Sequence, residues 1–157
     1  MQTYISVIGL GAENEELNDV AYEVGRLVAE RGAIVVCGGL GGVMNAVAQG
    51  AKEAGGTTVG ILPGPDRRGA SEYLDIAIPT DMAHARNALV VRSGDAVIAI
   101  GAGYGTLSEI GLALKMGKPV VGLKSWTLYR EGKQDTGIIA AETADKAVEL
   151  AFKAIKA

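Results

Sequence analysis

The stretch from Asp95 to Gly117 constrains the fold of this chain more than any other part of its sequence. It opens with the apolar run Val97–Ile100, which is typical of a strand buried on both faces of a parallel sheet. Three closely spaced glycines follow, and apolar residues then recur at helical spacing from Leu107 to Met116, with Thr106 as the predicted helix cap. Because loop N–H groups and a helix dipole both favour negative charge, this order of strand, glycine loop and helix predicts a seat for a phosphate group.

Strands and helices alternate along the rest of the chain. The segments Tyr4–Gly11 and Ala33–Cys37 are predicted to be buried strands that lead through glycine turns into helices. Because helices connect successive strands, we expect an α/β fold: one Rossmann-like domain over residues 1–157, with an open parallel sheet between two layers of helices. The remaining predicted elements are strands at Thr57–Leu62, Leu74–Pro79, Pro119–Leu123 and Gly137–Ala140, and helices at Met82–Ser93 after a cap at Asp81 and at Ala144–Lys156 after a cap at Thr143.

Composition argues against several classes of function. The 23 glycines, about twice the ordinary usage, show no repeating period and are therefore assigned to turns and close backbone contacts. The net charge of -3 gives no basic field for a nucleic-acid polymer, and aromatic residues, at 4%, are too few for a base-stacking platform. The single cysteine, Cys37, excludes an intramolecular disulfide and a cysteine-built metal site. With no apolar run of the ~18 residues that span a bilayer, we expect a cytoplasmic protein without a metal site or a membrane segment.

Two glycine loops, Gly38–Gly42 and Gly101–Gly105, each follow a predicted strand. Parallel α/β sheets bind ligands at the carboxyl ends of their strands, so the two loops are predicted to face one crevice. The first loop lacks the spacing of a dinucleotide fingerprint, and Val43 stands where a P-loop would need lysine. A tight turn without a ligand remains the alternative for either loop.

Glu109 and Arg86 are the charged candidates near these loops. Glu109 lies one turn into a helix that favours an anion, where it is either part of the site or a simple complement to the helix dipole. Arg86, on the preceding helix, is either a ligand for phosphate or a solvated surface residue. His84 is predicted to be structural or incidental, and Arg67 and Arg68 are predicted to be ordinary residues of a polar loop.

The residues Gly103 to Glu109, followed by Lys118–Leu123, resemble the PGGxGTxxE region of the LONELY GUY family. Members of that family are cytokinin-activating nucleotide phosphoribohydrolases that are often mislabelled as lysine decarboxylases. The segment Gly38–Met44 is similar to the family's GGGxxGLM loop, and His84–Arg86 is similar to its MHxRK helix. With Asn87 next, the chain more closely resembles a sister group that carries an ARN motif and includes the molybdenum cofactor carrier protein.

The resemblance implies roles for individual residues. Glu109 and Arg86 match the family's catalytic acid and its arginine partner. Two departures, Gly101 in place of proline and Asn87 in place of lysine, weigh against hydrolysis more than against phosphate binding. The candidate residues for binding the ligand or its phosphate are Gly38, Gly39, Gly41, Gly42, Met44, Gly101, Gly103, Tyr104, Gly105 and Thr106.

Three functions remain open from the sequence. The preferred one, on the ARN resemblance, is a binding or carrier protein for a phosphorylated pterin such as molybdenum cofactor, or for a nucleotide. The second is a nucleoside 5′-monophosphate phosphoribohydrolase that cleaves the base–ribose bond with Glu109 and Arg86, and the third is an oligomer with a vestigial pocket. Decarboxylation is set aside because no pyridoxal-phosphate site can be argued.

The resemblance also implies a homodimer or homotetramer. No resident cofactor is expected, since molybdenum cofactor or a nucleotide would be the bound ligand itself. Ligand specificity is expected to lie in the loops Pro63–Tyr73 and Ser125–Gln134, neither of which carries a recognisable code.

Overall fold

The computed structural model describes residues 1–156, which form nine strands and five α-helices. The strands are β1 (Tyr4–Gly9), β2 (Ile34–Cys37), β3 (Thr58–Leu62), β4 (Ile76–Pro79), β5 (Ala96–Ile100), β6 (Val120–Leu123), β7 (Leu128–Arg130), β8 (Lys133–Asp135) and β9 (Ile138–Ala141). The helices are α1 (Glu15–Glu30), α2 (Val43–Glu53), α3 (Arg86–Ser93), α4 (Tyr104–Lys115) and α5 (Ala144–Ile155), and a short 3-10 helix at Ala83–Ala85 leads into α3.

Seven strands form one parallel sheet in the order β4-β3-β2-β1-β5-β6-β9. The chain runs outward from β1 to β4 and then crosses back to lay β5 on the other side of β1. The direction of the strand order therefore reverses between β1 and β5, which is the place where open parallel sheets bind ligands. The predicted Rossmann-like fold is confirmed.

Helices cover both faces of the sheet because the strands are apolar on both sides. The helices α1, α2 and α5 pack on one face, around Val24, Val47 and Val148, while α3 and α4 pack on the other, around Val91 and Ile110. All five residues of β5 are buried, as expected for the strand that the two helical layers enclose.

The helices α1 and α2 touch backbone to backbone. A Cβ atom at Gly50 would lie 1.9 Å from the carbonyl oxygen of Tyr22, and one at Gly25 would lie 2.1 Å from the carbonyl oxygen of Val47. Only glycine fits at these two positions, so part of the high glycine content serves packing and has no connection with a ligand.

Two predicted helix caps are wrong, whereas the third is confirmed. Helix α4 begins at Tyr104 with Gly103 as its cap, so Thr106 lies within the first turn, with only 3% of its surface exposed. Asp81 has a φ of 54° and does not cap a helix, because the chain turns again through the 3-10 helix before α3 begins. Thr143 caps α5 as predicted, since its hydroxyl accepts a hydrogen bond from the Lys146 N–H at 3.2 Å.

The polar stretch between β6 and β9 was predicted to be a loop but contains the antiparallel hairpin β7–β8. Its strands are only three residues long, and they lie outside the main sheet. Among residues 1–156, no helix has the length and apolar character that crossing a membrane would require.

Candidate functional site

A cavity of about 510 Å³ lies at the reversal of strand order between β1 and β5. The turn after β1 and the first turn of α4, which follows β5, both line it. The 3-10 helix and the start of α3 close a third side. The lining residues are Gly9, Leu10, Gly11, Leu40, Met44, Pro63, Ala83, His84, Arg86, Asn87, Gly103, Tyr104, Gly105, Thr106 and Glu109.

The first turn of α4 is a candidate anion seat. The earliest backbone bond of this helix runs from Leu107 N–H to the Gly103 carbonyl at 3.0 Å, so the N–H groups of Tyr104, Gly105 and Thr106 precede the first carbonyl available to them within the helix. No side chain caps these groups, and the first turn carries no acidic residue that would occupy the seat. The positive end of the helix dipole therefore faces the cavity.

A second contact fixes the loop that leads into α4. The indole Nε1–H of Trp126 donates to the Gly103 carbonyl at 3.1 Å, and the Trp126 ring lies 5.9 Å from that of Tyr104, centroid to centroid. Trp126 belongs to the stretch that precedes β7, so the segment predicted to confer specificity supports the anion seat directly.

Glu109 is buried in the cavity wall, with 7% of its surface exposed. It lies one helical turn beyond Thr106, on the same face of α4. Burial raises the pKa of its carboxyl to about 7, although the positive charge of Arg86 acts in the opposite direction. This carboxyl therefore holds its proton to a higher pH than an exposed glutamate does.

Arg86 is also buried, with 8% of its surface exposed, and burial lowers the pKa of its guanidinium. Its Nη1 donates to the side-chain oxygen of Asn87 at 2.5 Å, and its buried Nε has no partner among residues 1–156. Among residues 1–156, no guanidinium nitrogen of Arg86 lies within 4.0 Å of a carboxyl oxygen of Glu109. The cavity thus holds a guanidinium and a carboxyl that affect each other without making contact.

The structure brings one predicted glycine loop to the cavity wall more fully than the other. Five of the predicted ligand-binding residues line the cavity: Met44, Gly103, Tyr104, Gly105 and Thr106. The other five, Gly38, Gly39, Gly41, Gly42 and Gly101, do not. Gly39, Gly42 and Gly101 adopt φ values of 77°, 60° and 86°, which serve the chain turns after β2 and β5. The carbonyl of Leu10 accepts a hydrogen bond from Val43 N–H at 3.0 Å, so the turn after Cys37 is tied to the turn after β1.

Several lining residues did not follow from the sequence. Leu10 and Pro63 come from separate turns whose common position depends on the strand order, and Asn87, known from the ARN motif, was not predicted to line the site from α3. His84 was predicted to be structural or incidental, yet it lines the cavity from an exposed position. The only available signal was its place beside Arg86 in the resemblance to the MHxRK helix.

The remaining sequence candidates lie outside the cavity wall. Arg68 pairs with Asp66, and Arg67 Nε donates to the Ala77 carbonyl at 3.0 Å, as suits ordinary loop residues. Cys37 is fully buried, and burial raises the pKa of its thiol to about 11. Residues 1–156 contain no cluster of three His, Cys, Asp or Glu side chains that could hold a metal ion.

Known proteins resemble this chain in both sequence and fold. It is 35% identical over 152 residues to the cytokinin riboside 5′-monophosphate phosphoribohydrolase of Mycobacterium tuberculosis, covering 85% of this chain and 79% of that protein. Its fold is similar to that of the molybdenum cofactor binding protein of Rippkaea orientalis, with a TM-score of 0.89, 36% identity and coverage of 100% of this chain and 99% of the other. The molybdenum cofactor carrier protein of Chlamydomonas reinhardtii gives a TM-score of 0.85 at 31% identity, with both chains covered completely.

These similarities confirm the two predicted resemblances, to the LONELY GUY phosphoribohydrolases and to the molybdenum cofactor carrier group. In addition, the family model of the SLOG cluster4 family matches residues 2–148.

Proposed function

The chain belongs to the SLOG cluster4 family, and from this premise we propose that it binds and carries a phosphorylated small molecule, either a pterin of the molybdenum cofactor type or a nucleotide. One observation carries the proposal: the open first turn of α4 and the buried guanidinium of Arg86 line the same cavity. N–H groups at a helix start and an arginine are both strong partners for phosphate oxygens. The ligand is the cargo, and the proposal needs no resident cofactor.

In this proposal the phosphate sits against the N–H groups of Tyr104, Gly105 and Thr106. Arg86 supplies the positive charge, and its unpartnered Nε becomes satisfied only when an acceptor enters the cavity. The rest of the ligand extends toward Leu10, Met44 and other apolar lining groups. The likeness to the molybdenum cofactor binding and carrier proteins supports a pterin as the cargo.

A second candidate function is hydrolysis of a nucleoside 5′-monophosphate at its base–ribose bond. The raised pKa of Glu109, about 7, favours it, because such a carboxyl can take a proton from an attacking water near neutral pH. The ionised carboxylate would also stabilise the positive charge that develops on the ribose as the base departs. The similarity to the Mycobacterium tuberculosis phosphoribohydrolase supports this candidate.

One experiment separates the two functions. The purified protein and its Glu109→Gln variant are incubated with a panel of nucleoside 5′-monophosphates, and the release of free base and ribose 5-phosphate is followed by chromatography. A carrier releases no base, while phosphate-bearing ligands still raise its melting temperature. Base release that disappears in Glu109→Gln would instead identify a hydrolase. A protein that neither releases base nor responds to any such ligand would have only a vestigial pocket.

We also expect the carrier to act in the cytoplasm as a homodimer or homotetramer. Ile76 and Ile78 on the edge strand β4 are 49% and 46% exposed, and an exposed apolar edge is often covered by a neighbouring subunit. Light scattering coupled to gel filtration measures the mass, and a monomer at micromolar concentration would contradict this expectation.

A further inference from the structure

We propose that Asn87 is a positioning residue, which holds the Arg86 guanidinium away from Glu109 so that the guanidinium remains available to the bound anion. The inference rests on the proposed function, because it takes a phosphate-bearing ligand as the occupant of the cavity. It assigns a role to the residue at which this chain departs from the MHxRK pattern.

The anchor is a neutral one. The side-chain oxygen of Asn87 accepts from Arg86 Nη1 at 2.5 Å, and this is the one hydrogen bond of the Arg86 side chain among residues 1–156. An amide oxygen fixes the direction of the guanidinium without neutralising its charge, whereas a carboxylate in the same place would compete with the ligand. The guanidinium therefore retains both its charge and its free donors.

The space for the anchored guanidinium comes from Gly38. A Cβ atom at that position would lie 2.8 Å from Arg86 Nη1, 2.9 Å from Nη2 and 2.5 Å from the sulfur of Met44. Gly38 does not have a positive φ, so its backbone accommodates other residues and the requirement for glycine is steric. Gly38, which was predicted to bind phosphate, thus affects the site by leaving room for the Arg86 guanidinium.

Glu109 is the competing partner for this guanidinium. The titratable side chains that line the cavity are His84, Arg86 on α3, and Tyr104 and Glu109 on α4. The Glu13 carboxylate accepts from Gly42 N–H at 3.2 Å on the neighbouring loop, and the buried Cys37 thiol outside the cavity also interacts with Arg86. Of the lining groups, Arg86 and Glu109 are the two buried ones, and the pKa of each is shifted by the charge of the other. Opposite charges attract strongly in a buried site, so a guanidinium released from its anchor moves toward the carboxylate.

The test uses Asn87→Ala, which removes the anchor, and Gly38→Ala, which fills the space behind the guanidinium. Gly111→Ala is the matched control, because nothing lies within 4 Å of a Cβ atom on that exposed residue of α4. Calorimetry with inorganic phosphate measures anion affinity, and carbon-13 NMR of the Glu109 carboxyl in the ligand-free protein measures its pKa. If Asn87 and Gly38 served only the stability of the fold, replacing them would leave the pKa of Glu109 unchanged.

Both test variants are expected to lower the pKa of Glu109. Asn87→Ala removes the anchor and Gly38→Ala displaces the guanidinium from it, so in each case the guanidinium stabilises the carboxylate. Phosphate affinity is expected to fall about tenfold or more, the scale of one hydrogen bond to a charged group. The control is expected to match the wild type in both measurements. If Asn87→Ala does not fold, Gly38→Ala decides the question alone.

The inference is overturned if the folded variants titrate Glu109 at the wild-type pKa. A wild-type protein that binds no phosphate would contradict the proposed function, but the titration of Glu109 in the ligand-free variants would still decide this inference.

Discussion

Glu109 is one of the two buried charged side chains that line the cavity. Its side chain lies on the cavity face of α4, where burial outweighs the attraction of Arg86 and raises its pKa from 4.5 to about 7. The unfolded chain releases this proton near pH 4.5, whereas the folded chain retains it until near neutral pH. Between these limits the folded state holds this proton more tightly, so the contribution of Glu109 to the free energy of unfolding falls as the pH rises.

Glu109→Gln is expected to remove this loss of stability. Urea unfolding at pH 4 should give similar stabilities for the wild type and the variant, because both side chains are then neutral. At pH 8 the variant should be more stable, on the order of 3 kcal/mol, from the pKa values 4.5 and about 7. The exposed substitution Glu142→Gln serves as the control and should follow the wild type. A stability difference between the wild type and Glu109→Gln that stays constant from pH 4.5 to 7 would contradict a raised pKa.

For single residues, the sequence predicted that Glu109 and Arg86 belong to the site but not how their side chains are arranged. The resemblance to the LONELY GUY motifs singled out Glu109 and Arg86. Spacing alone left Arg86 as either a ligand or a surface residue, because burial depends on neighbours from other elements. The anchor on Asn87 depends on the side-chain conformations of two neighbouring residues, and the space at Gly38 depends on a tertiary contact with Arg86. Neither can be read from the sequence pattern.

At the scale of elements, the site depends on how α4 begins. The order of strand, glycine loop and helix predicted a helix after β5, and anion binding at its start stays a prediction. The exact start of the helix could not be predicted, because Gly103 caps it without a side chain. Thr106 has the residue type of a cap, yet it lies in the first turn beside the cavity. The hairpin β7–β8 escaped prediction because its three-residue strands lack an apolar alternation.

Trp126→Phe is expected to loosen the start of α4, because it removes the hydrogen bond to the Gly103 carbonyl while retaining an aromatic ring. The free energy of unfolding should fall by about 0.5–1.5 kcal/mol, the usual contribution of one hydrogen bond. Inorganic phosphate should bind several-fold more weakly in calorimetry, because the N–H groups of the first turn are no longer held in place. Unchanged phosphate affinity in a measurably destabilised variant would show that Trp126 does not support the seat.

For the whole molecule, the strand order determines where the site forms. The alternation of strands and helices predicted a parallel sheet with two helical layers, and these are observed. The reversal of strand order between β1 and β5 could not be predicted, because the sequences of these strands do not indicate on which side of β1 the strand β5 pairs. For the same reason, lining residues from distant turns, such as Pro63, were not predicted.

The close contact of α1 and α2 is predicted to be essential to the stability of the whole fold. Gly50→Ala should lower the free energy of unfolding by about 1–3 kcal/mol or more, because the added methyl group meets the Tyr22 carbonyl of the facing helix. Gly111→Ala, on the exposed face of α4, should instead raise it by about 0.5–1 kcal/mol. Urea unfolding of the two variants measures the difference, and equal effects would contradict a backbone-to-backbone contact between α1 and α2.

The proposed phosphate site is the first turn of α4 beside Arg86. It is tested by titration of the nitrogen-15-labelled protein with inorganic phosphate, followed through the backbone amide signals. The largest shifts are expected on the amides of Tyr104, Gly105 and Thr106, and Arg86→Gln is expected to weaken the response. Saturating shifts confined to another part of the chain, or a response that Arg86→Gln leaves unchanged, would contradict it.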